Sequence, residues 1–282
     1  MKKQNQEMRA EGIIAKKSKG QNFLTNPHFI NLIVDSAFDL PNTNILEIGP
    51  GMGALTSSIL LKANKLVCVE IDSTLVEYLT LKFKDQGLTV IQADILTIDL
   101  EKLFLTEFLD NNPISIISNI PYYITSPIIF KLLKINNPKV KEIILMMQEE
   151  VGERIMAQPN SKNYSSISVV CQFYSDIEKV SLVGRNNFVP VPKVDSIVLK
   201  FKLNKKYSLL INDEEFIRFI RMMFATKRKT ILNNLAIIIN NKILVEDILV
   251  RLNYALNLRS ENLSLNDFYL LYNEIKQTKG EL

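Results

Sequence analysis

Five short apolar runs, Asn44–Ile48, Leu66–Glu70, Thr89–Gln92, Ile114–Ser118 and Glu142–Met147, alternate with helix-patterned stretches near Ala54–Lys62, Thr74–Lys82 and Pro127–Lys134. Few folds accept this alternation. A strand, a helix and a second strand pack as a right-handed crossover, so repeated units build a parallel sheet with helices on both faces. The expectation is a doubly wound α/β sheet that binds ligands outside the carboxyl ends of its strands. Helical patterning continues over Gln148–Ala157 and Tyr164–Tyr174. The runs Asp176–Leu182 and Ser196–Phe201 then read as an antiparallel pair closing the sheet, joined by the proline-bearing loop Phe188-Val-Pro-Val-Pro192.

Asn204-Lys-Lys-Tyr207 reads as a linker, and beyond it the spacing is helical from Glu214 to Tyr272, predicting a small all-helical second domain. At the other end, a lysine-bearing arm leads to Asn26-Pro27, a helix cap with proline in the first turn. The expected organisation is a basic arm over residues 1–25, a ligand-binding domain over 26–203 and a helical domain over 204–282. A chain of 282 residues is long enough to bury a core in each of the two larger parts.

No apolar run approaches the ~20 residues of a membrane span, and no apolar segment follows the first lysines as in a signal peptide, so a cytoplasmic protein is expected; a monomer is expected as well. Cys68 and Cys171 are too few for a disulfide framework or a thiolate metal site and read as buried free thiols. His28 is the only histidine and sits at a helix start, which leaves little room for triad or histidine-metal chemistry, and no metal is expected. Charge is unevenly spread. Residues 1–24 hold six Lys/Arg against two Asp/Glu, residues 25–204 sixteen against nineteen, and residues 205–282 twelve against nine. Basic ends around an acidic middle suit a small-molecule pocket flanked by nucleic-acid contacts.

Asn119-Ile-Pro-Tyr122 ends the fourth strand and arms it for chemistry on an amino group. The exocyclic nitrogen of adenine is a poor nucleophile because its lone pair is delocalised into the ring. An amide oxygen from Asn119 and the carbonyl of Ile120 can accept its two hydrogens and turn the lone pair toward an electrophilic methyl. Pro121 stiffens the turn, and Tyr122 offers a ring for a purine, whereas Tyr123 reads as rim or packing. Glu47-Ile-Gly-Pro-Gly-Met-Gly53 is a glycine-rich turn from strand to helix. Gly49, Gly51 and Ala54 fit a dinucleotide site, while Gly49, Gly51 and Gly53 fit the turn of S-adenosylmethionine enzymes. Glu70, about 20 residues on, suits a ribose diol in either case. Asp94, just past the third strand, can accept from an adenine amino group.

These motifs together resemble the ribosomal RNA adenine dimethyltransferases, over nearly the whole chain. The resemblance implies a Rossmann-like methyltransferase sheet, S-adenosylmethionine as cofactor and a helical RNA-recognition domain. Lys19-Gly-Gln-Asn-Phe-Leu24 is similar to the family's G-Q-N-F-L, in which Asn22 and Leu24 would contact the cofactor. Gly49, Gly51, Glu70, Asp94 and Asn119 stand where the family binds it. Asn119, Ile120, Pro121 and Tyr122 match the catalytic motif. Phe188-Val-Pro-Val-Pro-Lys-Val-Asp-Ser196 resembles the loop whose phenylalanine, here Phe188, would cover the second face of the target base. Phe224-Ala-Thr-Lys-Arg-Lys-Thr-Ile-Leu-Asn-Asn-Leu235 resembles a segment of the bacterial small-subunit enzymes. Lys227, Arg228 and Lys229 would grip RNA there, although Thr226-Lys227 replaces the more usual glutamine and arginine, losing a bidentate hold on phosphate. The implied partner is 16S rRNA in the small ribosomal subunit, with two adjacent adenosines dimethylated at N6 near its 3′ end.

Overall fold

A computed structural model describes residues 21–204, 211–226 and 228–279. The strands are β1 Phe23–Leu24, β2 Asn44–Ile48, β3 Lys65–Glu70, β4 Leu88–Gln92, β5 Ile114–Asn119, β6 Val140–Gln148, β7 Ser175–Val183, β8 Phe188–Val189 and β9 Ser196–Leu203. Seven of them form one sheet in the order β4-β3-β2-β5-β6-β9-β7, parallel through β6 and antiparallel between β6 and β9. The order reverses between β2 and β5, because the chain winds outward through β3 and β4 before returning to β5. This reversal opens a crevice at the carboxyl ends of β2 and β5.

The strands are legible because both faces of the sheet are covered. Residues of β2 are buried throughout, as are five of the six in β5, which produces continuous apolar runs rather than alternation. Helix α1 (Pro27–Asp35) starts as expected, with the Asn26 side chain accepting from the His28 amide at 3.0 Å. Helices α2 (Ala54–Leu60) and α3 (Ser73–Lys82) follow β2 and β3. A helix not anticipated, α4 (Leu100–Glu107), follows Asp99, whose carboxylate accepts from the Lys102 amide at 3.0 Å. Leu100, Leu103 and Phe104 are its buried residues. Helix α5 (Thr125–Leu133) then leads from β5 toward β6. Also unanticipated is the antiparallel pairing of β1 with β8, Phe23 opposite Val189 and Leu24 opposite Phe188. Two-residue strands carry no period to read.

The described chain separates into two compact units. The first holds the sheet, up to Gly152 together with Asp176–Leu203. The second holds Glu153–Ser175 and the residues from Asn204 on. The sequence reading kept 153–175 with the sheet; the structure groups this segment with the helices. Its aromatic residues explain why. Within the helical unit the Phe173 and Phe216 rings lie 5.0 Å apart, and the Tyr164 hydroxyl donates to the Leu263 carbonyl at 2.9 Å. Helices α6 (Ser166–Tyr174), α7 (Asp213–Phe224), α8 (Ile231–Ile239), α9 (Lys242–Arg251) and α10 (Leu265–Lys279) belong to this unit.

Candidate active site

Between β2 and α2 the chain must turn sharply, and Gly49, Gly51 and Gly53 do so with φ of 63°, 58° and 79°. Two of these positions also leave no room for a side chain. A Cβ on Gly51 would lie 2.9 Å from the Phe23 ring, and one on Gly53 would lie 2.6 Å from Phe83. At Gly49 nothing stands within 4 Å, so that backbone opens onto free space.

Two carboxylates flank the turn. Glu70, at the end of β3, is 5% exposed and accepts from the Asp72 amide at 2.9 Å and the Gly51 amide at 3.4 Å. Burial lifts its pKa above the ordinary carboxylate value, against the pull of these amides. Glu47, within β2, is 1% exposed and takes a 2.6 Å hydrogen bond from the Thr56 hydroxyl and a 3.4 Å contact from the Cys68 thiol. Burial pushes its pKa from 4.5 to about 7, with Thr56 and Cys68 opposing and Glu70 adding to the rise. The sequence reading gave Glu47 no role, since an acid inside an apolar strand gives no sign of what will satisfy it.

At the end of β5, the Asn119 amide nitrogen donates to the Asn22 carbonyl at 3.0 Å, which leaves its amide oxygen as the atom to accept from a ligand. The Ile120 amide is taken by the Met146 carbonyl at 3.1 Å, fixing the backbone on the other side. Tyr122 opens a short 3-10 turn, Tyr122–Ile124. Its hydroxyl lies 2.7 Å from the Ser196 hydroxyl at the start of β9, and burial raises its pKa. Past β4, the Asp94 carboxylate accepts from the Leu96 amide at 2.8 Å. Lys131 on α5 donates to the carbonyls of Leu96 at 3.0 Å and Ile98 at 2.5 Å, tying this loop to the helix behind the Asn119 turn.

One cavity of about 250 Å³ collects these groups. Asn22, Leu24, Gly49, Gly51, Glu70 and Asp94 line it together with Asn119, Ile120, Pro121 and Tyr122. Four strand ends read separately from the sequence thus converge on one space, with Glu47, Phe23 and Tyr123 also on its wall.

Phe188 is the correction. Expected to cover a base, it is 0% exposed and packs in the core with Leu24 and Val183, away from the cavity wall. Pairing with β1 turns its side chain inward. In the helical unit, Arg228 and Lys229 are exposed on the turn between α7 and α8, while Lys227 lies outside the described residues, as do Lys19 and the rest of the arm to residue 20. Buried Asn234 holds that turn, accepting from Thr226 and donating to the Met223 carbonyl at 3.0 Å. Cys68 and Cys171 are free and buried. Among the described residues no cluster of three or more His, Cys, Asp or Glu can hold a metal, and no helix is long and apolar enough to cross a membrane.

A family model described as ribosomal RNA adenine dimethylase matches residues 13–277. The chain is 45% identical over 260 residues to ribosomal RNA small subunit methyltransferase A of Mycoplasma mycoides subsp. mycoides, covering 92% of this chain and 97% of that one. It is 40% identical over 271 residues to the protein of the same description from Bacillus cytotoxicus, covering 94% and 92%. Among solved structures, a dimethyladenosine transferase from Plasmodium falciparum superposes with a TM-score of 0.75 at 30% identity, covering 90% and 98%. The 23S rRNA methyltransferase ErmE superposes with a TM-score of 0.68 at 25% identity, covering 91% and 100%.

Proposed function

This chain belongs to the ribosomal RNA adenine dimethylase family, whose S-adenosylmethionine-dependent methylation of ribosomal RNA is its activity, and we propose that its substrate is 16S rRNA in the small ribosomal subunit. There it converts two adjacent adenosines near the 3′ end to N6,N6-dimethyladenosine, acting in the cytoplasm. The observation that carries the reading is the convergence of the glycine turn, Glu70, Asp94 and Asn119–Tyr122 on one cavity. Small-subunit specificity rests on relatives of that description at 40–45% identity, against 25% for the 23S enzyme.

The residues present fit the cofactor. Gly49 leaves open backbone for its amino-acid end, Glu70 offers a buried carboxylate to the ribose diol, and Asp94 an acceptor to the adenine amino group. When bound, S-adenosylmethionine supplies a methyl group activated by its sulfonium. The protein orients the nucleophile. The Asn119 amide oxygen and the Ile120 carbonyl accept the two N6 hydrogens, draw the lone pair out of conjugation and stabilise positive charge developing on nitrogen. Tyr122 stacks on one face of an adenine turned out of its helix. Phe188 supports the wall from behind rather than touching the base. Lys227, Arg228 and Lys229 hold the phosphate backbone.

Calorimetry tests the cofactor assignment: S-adenosylmethionine should bind, NAD should not, and Glu70→Ala should weaken binding by about 1–3 kcal/mol. Tight binding of NAD alone would overturn it. Immature small subunits lacking the modification should accept methyl groups from the purified protein. Labelling of large-subunit RNA alone would instead favour a 23S enzyme.

A further inference from the structure

Tyr123 is 61% exposed on the cavity wall. Its neighbour Tyr122 is half-buried, with its hydroxyl tied to Ser196. Both lie in the 3-10 turn Tyr122–Ile124, where successive residues are rotated by roughly 120°. The two rings therefore diverge, and they cannot sandwich one base. Among the described residues Tyr123 has no hydrogen bond and no ring pair. An aromatic ring left exposed at the rim of a base-binding cavity offers a face to a flat partner.

Turning the target adenine out of its helix creates such a partner. The neighbouring nucleotide loses a stacking face when the target leaves, and single-stranded bases recover that loss on aromatic side chains. We propose that Tyr123 is the stacking platform for the nucleobase next to the target. The inference rests on the RNA-adenine reading above. For a pair of adjacent adenosines, Tyr123 holds one while Tyr122 holds the other, so the same two rings serve both methylations by exchanging bases. A purine beside the target, with its larger face, is preferred to a pyrimidine.

The test uses the full chain and small subunits reconstituted with 16S rRNA carrying 2-aminopurine beside the target adenosine. Stacking quenches this probe. Wild type and Tyr123→Phe should quench it and methylate alike. Tyr123→Ala should lose the quenching and raise KM for the particle on the order of tenfold, with S-adenosylmethionine affinity and melting temperature unchanged. If Tyr123→Ala methylates and quenches like wild type, the platform is wrong while the functional reading stands. If wild type quenches through Tyr123 but transfers no methyl group, the functional reading falls and the platform stands.

Discussion

Two proline-bearing loops, Asn119-Ile-Pro-Tyr122 and Phe188-Val-Pro-Val-Pro192, look alike in sequence and end in opposite places. The first leaves β5 in the middle of the parallel sheet, with strands on both sides, so its only direction is outward into the crevice. The second begins with β8, and pairing with β1 buries its phenylalanine completely. Proline stiffens both. The neighbouring strand decides whether the aromatic beside it meets a ligand or the core.

The difference breaks most visibly on substitution. Phe188→Ala should cost about 3–5 kcal/mol of stability, read as a fall in the denaturant midpoint. A variant that stayed fully stable yet stopped methylating would return Phe188 to the base. Asn119→Ala should do the reverse, slowing single-turnover methyl transfer by on the order of 100-fold, roughly 3 kcal/mol, with an unchanged melting curve. Wild-type rates in that variant would remove the amide from the chemistry.

A third test sharpens the comparison from beneath the first loop, in the strand next to β5. Burial holds Glu47 at a pKa of about 7 against an ordinary 4.5. Its folded-state pKa is raised, so its contribution to stability is complete below pH 4.5 and is lost as pH rises through 7. Between pH 5 and 8 this amounts to about 3 kcal/mol. Glu47→Gln should flatten that part of the stability profile; an identical slope in both proteins would contradict the assignment. The smallest effect belongs to the tether between the two loop regions. Ser196→Ala and Tyr122→Phe should each raise KM for RNA by an amount near 1 kcal/mol, and the double variant should be no worse than either. Additive losses would mean that the two hydroxyls act separately.

Much of this was readable beforehand, and the reasons are physical. Strands β2, β3, β5 and β6 announce themselves because both faces of the sheet are covered there, and the cavity was located because ligand chemistry gathers at strand carboxyl ends. What escaped depends on pairing across long separations. Nothing near Phe188 in the chain signals β1, and nothing near Glu47 signals that Thr56 and Cys68 will satisfy it. Helix α4 was within reach, since Asp99 and the apolar spacing of Leu100, Leu103 and Phe104 form a helix-start signature. The placement of Glu153–Ser175 was not, because helical periodicity says nothing about which core a helix joins.

The hydrogen bond from the Asn119 amide to the Asn22 carbonyl spans 97 positions of chain. An asparagine amide has two nearly identical ends, and only the partner of its nitrogen tells them apart. The N-terminal strand therefore works as a reading key for the catalytic turn. Remove it by trimming the chain after Leu24, and the amide loses the contact that says which end faces the substrate, while Phe188 loses the strand that covers it. Either end of the amide could then face the substrate, a donor as readily as an acceptor.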